Sequence, residues 1–322
     1  KGIGFVVNVF TKPGEKVIIQ PPVYHPFRMT PEDNGREVVF NPLRLREDGY
    51  YDMDFDNLSE VCDDKCRVLI LSNPHNPAGV CWSKETLQRL ADFCYEHNII
   101  VISDEIHSDM ALFGNRHVPF ASVSERAADI SITFAAPTKT FNMAGIVSSY
   151  AVISNDDLRQ RFYGWLKANE LDEPTIFAPI ATIAAYQKGE EWRKQMLAYV
   201  EDNVRFVEDY CRERIPGIRP LRPQASFLVW LNCRGLELSH DKLLDLFIDK
   251  ARRRARRIQK LPRAILPVSA PSRRSREVIR KPEMTKKIST PIMPPGSTVG
   301  QKWYTITRST AIARRPSRPG RI

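Results

Sequence analysis

Arg67-Val-Leu-Ile-Leu-Ser-Asn-Pro-His-Asn-Pro-Ala-Gly79 starts as an apolar run and stops in a turn containing two Asn-Pro pairs. Val68 to Leu71 has no polar alternation, so Arg67–Ser72 reads as a strand buried on both faces. Ser83 can cap the helix that follows, and Leu87, Leu90, Ala91 and Cys94 give that helix one apolar face at i, i+3, i+4, i+7. A second apolar strand, Asn98–Ser103, then ends at Asp104-Glu-Ile-His107-Ser-Asp109. Strand, helix and strand in this order, with continuous apolar strands, predict an α/β fold with a mostly parallel sheet between helices.

The pattern extends in both directions. Downstream, Ile130–Phe134 is a β-branched strand that runs into Ala135-Ala-Pro-Thr-Lys139-Thr-Phe-Asn-Met-Ala-Gly145, and Ser148–Ser154 reads as a further strand. Upstream, Lys16–Gln20 is a short strand ending at Pro21-Pro-Val-Tyr24, Arg36–Phe40 is another, and Asp54–Val61 is a helix. Lys1–Phe10 reads as a helix entered in mid-domain, so a preceding segment is expected in the whole protein. Residues 173–213 are helical with a break near Gly189, Ser226–Leu231 is a strand, and Ser239–Lys250 is a helix. The expected organisation is a large domain over 1–189, a partial smaller α/β domain over 190–250, and a tail over 251–322.

Composition sets the tail apart. The net charge of +10 divides into 20 Lys+Arg against 2 Asp+Glu in residues 251–322, and 28 against 36 in the rest. An acidic globular part thus carries a basic, Pro- and Arg-rich extension, which cannot bury enough apolar area to offset the entropy of ordering and is expected to be disordered or out of frame. Six scattered cysteines fit thiols in a reducing cytoplasm, and the single Cys62-x3-Cys66 lacks the second pair that a zinc site needs. No apolar run reaches the length of a membrane span, so no membrane partner is expected.

Three successive strands lead to Asn76, Asp104 and Lys139. In a parallel sheet their carboxyl ends share one edge, which would bring an amide, a carboxylate and an amine together. Each has a plainer reading: a turn asparagine, a helix cap with exposed charge or a metal cluster of Asp104, Glu105, His107 and Asp109, and a solvated surface lysine. Pyridoxal 5′-phosphate uses the whole set at once. Its aldehyde condenses with an amine, its ring nitrogen is kept protonated by a carboxylate, and its phenolic oxygen accepts from a donor. A lysine withdrawn from water among Thr138, Phe141 and Asn142 would have a lowered pKa and act as a nucleophile. Tyr24 could stack on the ring.

Asn-Pro-His-Asn-Pro-Ala-Gly (73–79), Ser-Asp-Glu-Ile-His-Ser-Asp (103–109) and Ala-Pro-Thr-Lys-Thr-Phe-Asn-Met-Ala-Gly (136–145) resemble the fold-type-I pyridoxal-phosphate-dependent aminotransferase superfamily. They look most like its cystathionine β-lyase branch, the MalY/PatB type of carbon–sulfur lyase. The resemblance covers about residues 1–250. It implies that Lys139 holds the cofactor aldehyde, Asp104 partners the pyridine nitrogen, Asn76 donates to the phenolic oxygen, and Tyr24 stacks. His107 stands where many aminotransferases carry a tyrosine near that oxygen. Val147, eight residues after the lysine, stands where aminotransferases often place a phosphate-binding arginine, which favours the lyase branch.

The implied reaction is β-elimination from a sulfur amino acid, giving thiol, pyruvate and ammonia, in a homodimer that shares its site between subunits. Two departures stand out. No Arg-Leu-Asn…Pro-Arg context follows Ala251, so no arginine is assigned to the substrate carboxylate, and the family's glycine-containing phosphate loop would precede Lys1. The alternatives are an aminotransferase of the same fold and, from a different class, nucleic-acid binding through the +18 tail. The latter is disfavoured because few aromatics accompany the basic residues.

Overall fold

The computed structural model describes residues 1–250 and 303–305. In chain order the elements are α1 (Gly2–Phe10), β1 (Lys16–Ile19), α2 (Pro26–Asp33), β2 (Glu37–Phe40), the hairpin β3 (Arg44–Leu45) and β4 (Tyr51–Asp52), and α3 (Phe55–Val61). Next come β5 (Cys66–Ser72), α4 (Lys84–Glu96), β6 (Ile100–Asp104), α5 (Glu125–Ile130), β7 (Ser131–Ala135), α6 (Pro137–Thr140) and β8 (Tyr150–Val152). The chain continues through α7 (Asp156–Ala168), α8 (Phe177–Lys188), α9 (Glu190–Arg214), β9 (Arg219–Leu221), β10 (Trp230–Asn232), α10 (His240–Asp245) and β11 (Trp303–Thr305).

The six-stranded sheet has the order β2-β1-β5-β6-β7-β8. All its pairings are parallel except β7 with β8. The apolar run of β5 explains the layering, because successive side chains of a strand point to opposite faces. Leu69 and Leu71 join Leu87, Leu90 and Cys94 of α4 on one face. Val68 and Ile70 join Val6 of α1, Phe27 of α2 and Phe162 of α7 on the other. Leu69, Ile70 and Leu71 have no exposed surface, and burying each side chain contributes roughly 1.5–3 kcal/mol. The α/β architecture with a mostly parallel sheet between helices is therefore the one the apolar strands predict.

The cap expected at Ser83 forms, and Asp54, read from the sequence as the first residue of a helix, caps α3 instead. Ser83 accepts from the Thr86 N–H at the start of α4, and Asp54 accepts from the Asn57 N–H at the start of α3. The helical region breaks at Gly189, where a Cβ would collide with the Ala185 carbonyl and the Phe141 ring.

Some elements differ from expectation. Helix α7 was not anticipated, although Asn155 caps it by accepting from the Leu158 N–H and Leu158, Phe162 and Leu166 are buried. The strand expected over Ser226–Leu231 shrinks to β10. Ser226 has φ of 78° and gives its N–H to the Met110 carbonyl, so the chain there is tied to another loop instead of a ladder. Only the first half of the helix expected over Ser239–Lys250 is α-helical; Leu246–Lys250 widens into a π turn. β9, β10 and β11 form a second, antiparallel sheet. Trp230 and Leu221 of that sheet enter the large core, and the Trp230 indole N–H donates to the Tyr51 hydroxyl at 3.3 Å. The expected disorder of the tail concerns residues that lie outside the described ones, apart from 303–305, which form a strand where none was expected.

Candidate functional site

Four neighbouring parallel strands deliver the candidate residues to one edge. Tyr24 follows β1, Asn76 follows β5, Asp104 ends β6, and Lys139 follows β7. The register fixes their level: Ser72 pairs with Asp104, and Asp104 pairs with Phe134. Across the β5–β6 junction the Asn73 N–H donates to the Asp104 carbonyl at 3.0 Å, and the Glu105 N–H donates to the Phe134 carbonyl at 2.8 Å. The Asn76 backbone is held by the Ser72 hydroxyl, which accepts from its N–H at 2.9 Å. This is the carboxyl edge at which open α/β sheets bind ligands.

Electrostatics link the set. Burial pushes the Asp104 carboxyl up to about 6, with Glu105 adding to the rise; the Ile106 N–H and the Lys139 ammonium pull the other way. The Ile106 N–H lies 3.2 Å from Asp104 Oδ1. Burial, followed by the Lys139 ammonium, pushes His107 down to about 3, so its ring is neutral at neutral pH. Its Nδ1 is buried without a hydrogen-bond partner, and the ring centroid lies 5.7 Å from that of Phe227. Burial and then the charge of Asp104 raise the Tyr24 phenol. The Tyr24 ring is edge-on to His25 and Phe27, with centroids at 5.1 and 6.0 Å. Charge thus links Tyr24 to Asp104, and Lys139 to both Asp104 and His107.

Lys139 differs from expectation in its surroundings. It sits in the single turn of α6, opened by Pro137, and Thr138 and Thr140 on either side of it are buried. Its own side chain is exposed and not withdrawn from water. The turn buries both neighbouring threonines and leaves the lysine between them at the surface.

Glu105 was expected to be a cap, an exposed charge or a metal ligand. It is 4% exposed, and its carboxylate accepts from Ser103 Oγ and the Phe120 N–H at 2.9 Å, His117 Nε2 at 2.7 Å and Asn73 Nδ2 at 3.4 Å. Among the described residues no group of three or more His, Cys, Asp or Glu side chains could hold a metal ion.

Gly79 closes the turn that carries Asn76. It has φ of 68°, and an added Cβ would meet Pro223 Cβ at 2.7 Å and the Ala225 carbonyl at 3.0 Å. Its carbonyl accepts from the Gln224 and Ala225 N–H groups at 2.8 and 3.1 Å. Gly79→Ala is therefore expected to cost about 2 kcal/mol or more, through the left-handed backbone and the collision together. The check is a urea midpoint that falls at unchanged slope.

Comparison with known proteins adds to this geometry. The chain is 42% identical over 251 residues to cystathionine β-lyase PatB of Bacillus subtilis, covering 78% of this chain and 65% of that protein. It is 31% identical over 247 residues to protein MalY of Escherichia coli, covering 76% and 62%. It therefore spans less than two thirds of the length of either relative. Among solved structures it resembles cystalysin from Treponema denticola, whose crystals contain a pyridoxal 5′-phosphate cofactor, with a TM-score of 0.75 at 33% identity over 78% of this chain and 64% of that one. The family model for aminotransferase class I and II matches residues 1–256, which takes in all four strand ends. The chain is a member of the aminotransferase class I and II family.

Proposed function

We propose that this protein is a pyridoxal-phosphate-dependent carbon–sulfur β-lyase, cleaving a cystathionine-like amino acid to thiol, pyruvate and ammonia. The observation that carries the reading is the meeting of an amine, an undercompensated acid, an amide and an aromatic ring at the ends of four adjacent parallel strands. The donor set fits the cofactor. Asp104 is a carboxyl whose desolvation is only partly offset by the Ile106 N–H and the Lys139 ammonium, so a further positive partner such as a ring nitrogen would be favourable there. Asn76 would donate to the phenolic oxygen, Tyr24 would cover a ring face, and Lys139 Nζ would hold the aldehyde. His107, neutral and with an orphaned Nδ1, stands beside them.

Bound there, the cofactor supplies an aldehyde and an electron-accepting ring. The residues do the rest. Lys139 Nζ would be the base that takes the substrate's Cα proton, and its exposure leaves it mobile enough to do so. Asp104 would hold the ring nitrogen protonated. The C–S bond would break with its electron pair on sulfur, the proton taken by Lys139 would pass to the leaving thiolate, and water would convert the remaining fragment to pyruvate and ammonia.

Two features favour elimination over amino transfer: the relatives named cystathionine β-lyase, and Val147 in place of an arginine eight residues after Lys139. A homodimer fits the apolar row Ile176, Phe177, Ile180 and Ile183, which α8 leaves exposed. A cytoplasmic setting fits six free thiols. The test is to incubate the purified chain with pyridoxal phosphate and cystathionine. Pyruvate and thiol are expected in equal amounts without added keto acid; keto-acid-dependent amino transfer without thiol would mean an aminotransferase.

A further inference from the structure

We propose that Glu105, with His117 as its donor, is the positioning residue that sets Asp104 against the cofactor's ring nitrogen. The inference rests on the cofactor reading above. Glu105 follows Asp104 directly in the chain, and its carboxylate is spent inside the protein. Oε1 accepts from Ser103 of β6, from the Phe120 N–H and from Asn73 in the turn after β5, while Oε2 meets His117 Nε2 at 2.7 Å. Three separate segments are gathered on one side chain. A buried carboxylate satisfied in this way is rigid, and one stripped of its donors is costly.

The clamp extends to the backbone of the acid itself. Asn73, whose amide reaches Glu105 Oε1, gives its own N–H to the Asp104 carbonyl, and the Glu105 N–H goes to Phe134 of β7. Asn73 Nδ2 also donates to the Val118 carbonyl at 2.9 Å, which closes the loop of 117–120 under the strand ends. His117 Nδ1 is buried without a partner, so the ring is hydrogen-bonded through Nε2 to Glu105. Asp104 directly precedes the residue held here, and His107 lies in the turn that this residue opens, with the Ser108 N–H donating to the Glu105 carbonyl at 2.9 Å. Releasing Glu105 frees the acid to rotate away from the ring nitrogen without touching the cofactor directly.

The experiment titrates the full chain with pyridoxal phosphate and follows visible absorbance and visible circular dichroism, which reports how the ring sits in its chiral surroundings. Far-UV circular dichroism and melting temperature track folding. Glu105→Leu removes every acceptor and is expected to weaken binding about tenfold or more and to change the visible dichroism. His117→Leu leaves Oε2 bare at less structural cost, with a loss of about threefold or more. Glu105→Gln keeps one oxygen for the three donors and an amide for the other His117 tautomer, so it is expected to stay within about twofold of the parent. Folded leucine variants with parental affinity and dichroism would overturn the proposal, and so would a lowered melting temperature alone. Should Glu105→Leu not fold, His117→Leu decides. A parent chain with no visible band would overturn the proposed function and this inference with it.

Discussion

Lys139→Ala is expected to abolish the visible absorption of bound pyridoxal phosphate and to cut thiol release by about a thousandfold or more, because in the proposed reaction one group is both the nucleophilic amine and the base for the Cα proton. The structure makes this a clean experiment. Lys139 is exposed, while the anchoring of α6 comes from Pro137 and the buried Thr138 and Thr140. Truncation therefore opens no cavity, and stability should stay within about 0.5 kcal/mol. Absorption spectra and thiol assays on equally folded proteins provide the check. A variant that keeps its visible band would remove Lys139 from the chemistry and leave Asp104 without its proposed task.

Asp104→Asn should give a variant that is weaker in function yet more stable without cofactor. The folded chain holds the Asp104 carboxyl at about 6, against an ordinary 3.8. Between those values the folded state keeps a proton that the unfolded state has lost, so this group makes stability fall as pH rises through the window, and above it the full penalty persists. Asparagine has no charge to desolvate. The cofactor-free variant should therefore melt higher than the parent at pH 7.5 and lose the part of the slope between about pH 4 and 6 that Asp104 causes. Thiol release should drop by about a hundredfold or more, since an amide cannot hold a ring nitrogen protonated. Melts at pH 4.5 and 7.5 beside a thiol assay separate the two effects. An asparagine variant that melts below the parent at pH 7.5 would show that desolvation of the Asp104 carboxylate does not destabilise the folded chain.

What could be read from the chain and what could not follow the range of the interactions. The runs Arg67–Ser72 and Asn98–Ser103 need only their own apolar residues to be recognised as buried strands, and Ser83 needs only a neighbour three residues on to cap α4. Asn76, Asp104 and Lys139 could be assigned to one edge because parallel strands align their ends whatever lies between them. Glu105 is different: of its four donors only Ser103 is local, and His117, Phe120 and Asn73 come into reach through tertiary folding. The left-handed Ser226, which cuts the expected strand short, likewise depends on a contact with Met110. Helix α7 could have been found, since Asn155 precedes Asp156 and Asp157 and an apolar spacing at Leu158, Phe162 and Leu166. The exposure of Lys139 had no local cue, because its neighbours Thr138 and Thr140 turn inward and the lysine between them does not.

The order β1-β5-β6-β7 spreads Tyr24, Asn76, Asp104 and Lys139 over four parallel strands, each joined to the next through long crossovers. No hairpin or isolated helix owns more than one of them. A partly folded chain in which any of these strands is undocked offers fragments of a binding place and no binding place. Whatever small molecule the finished edge captures consequently favours the whole sheet at once, and saturating amounts would raise the cooperativity of unfolding as well as its midpoint.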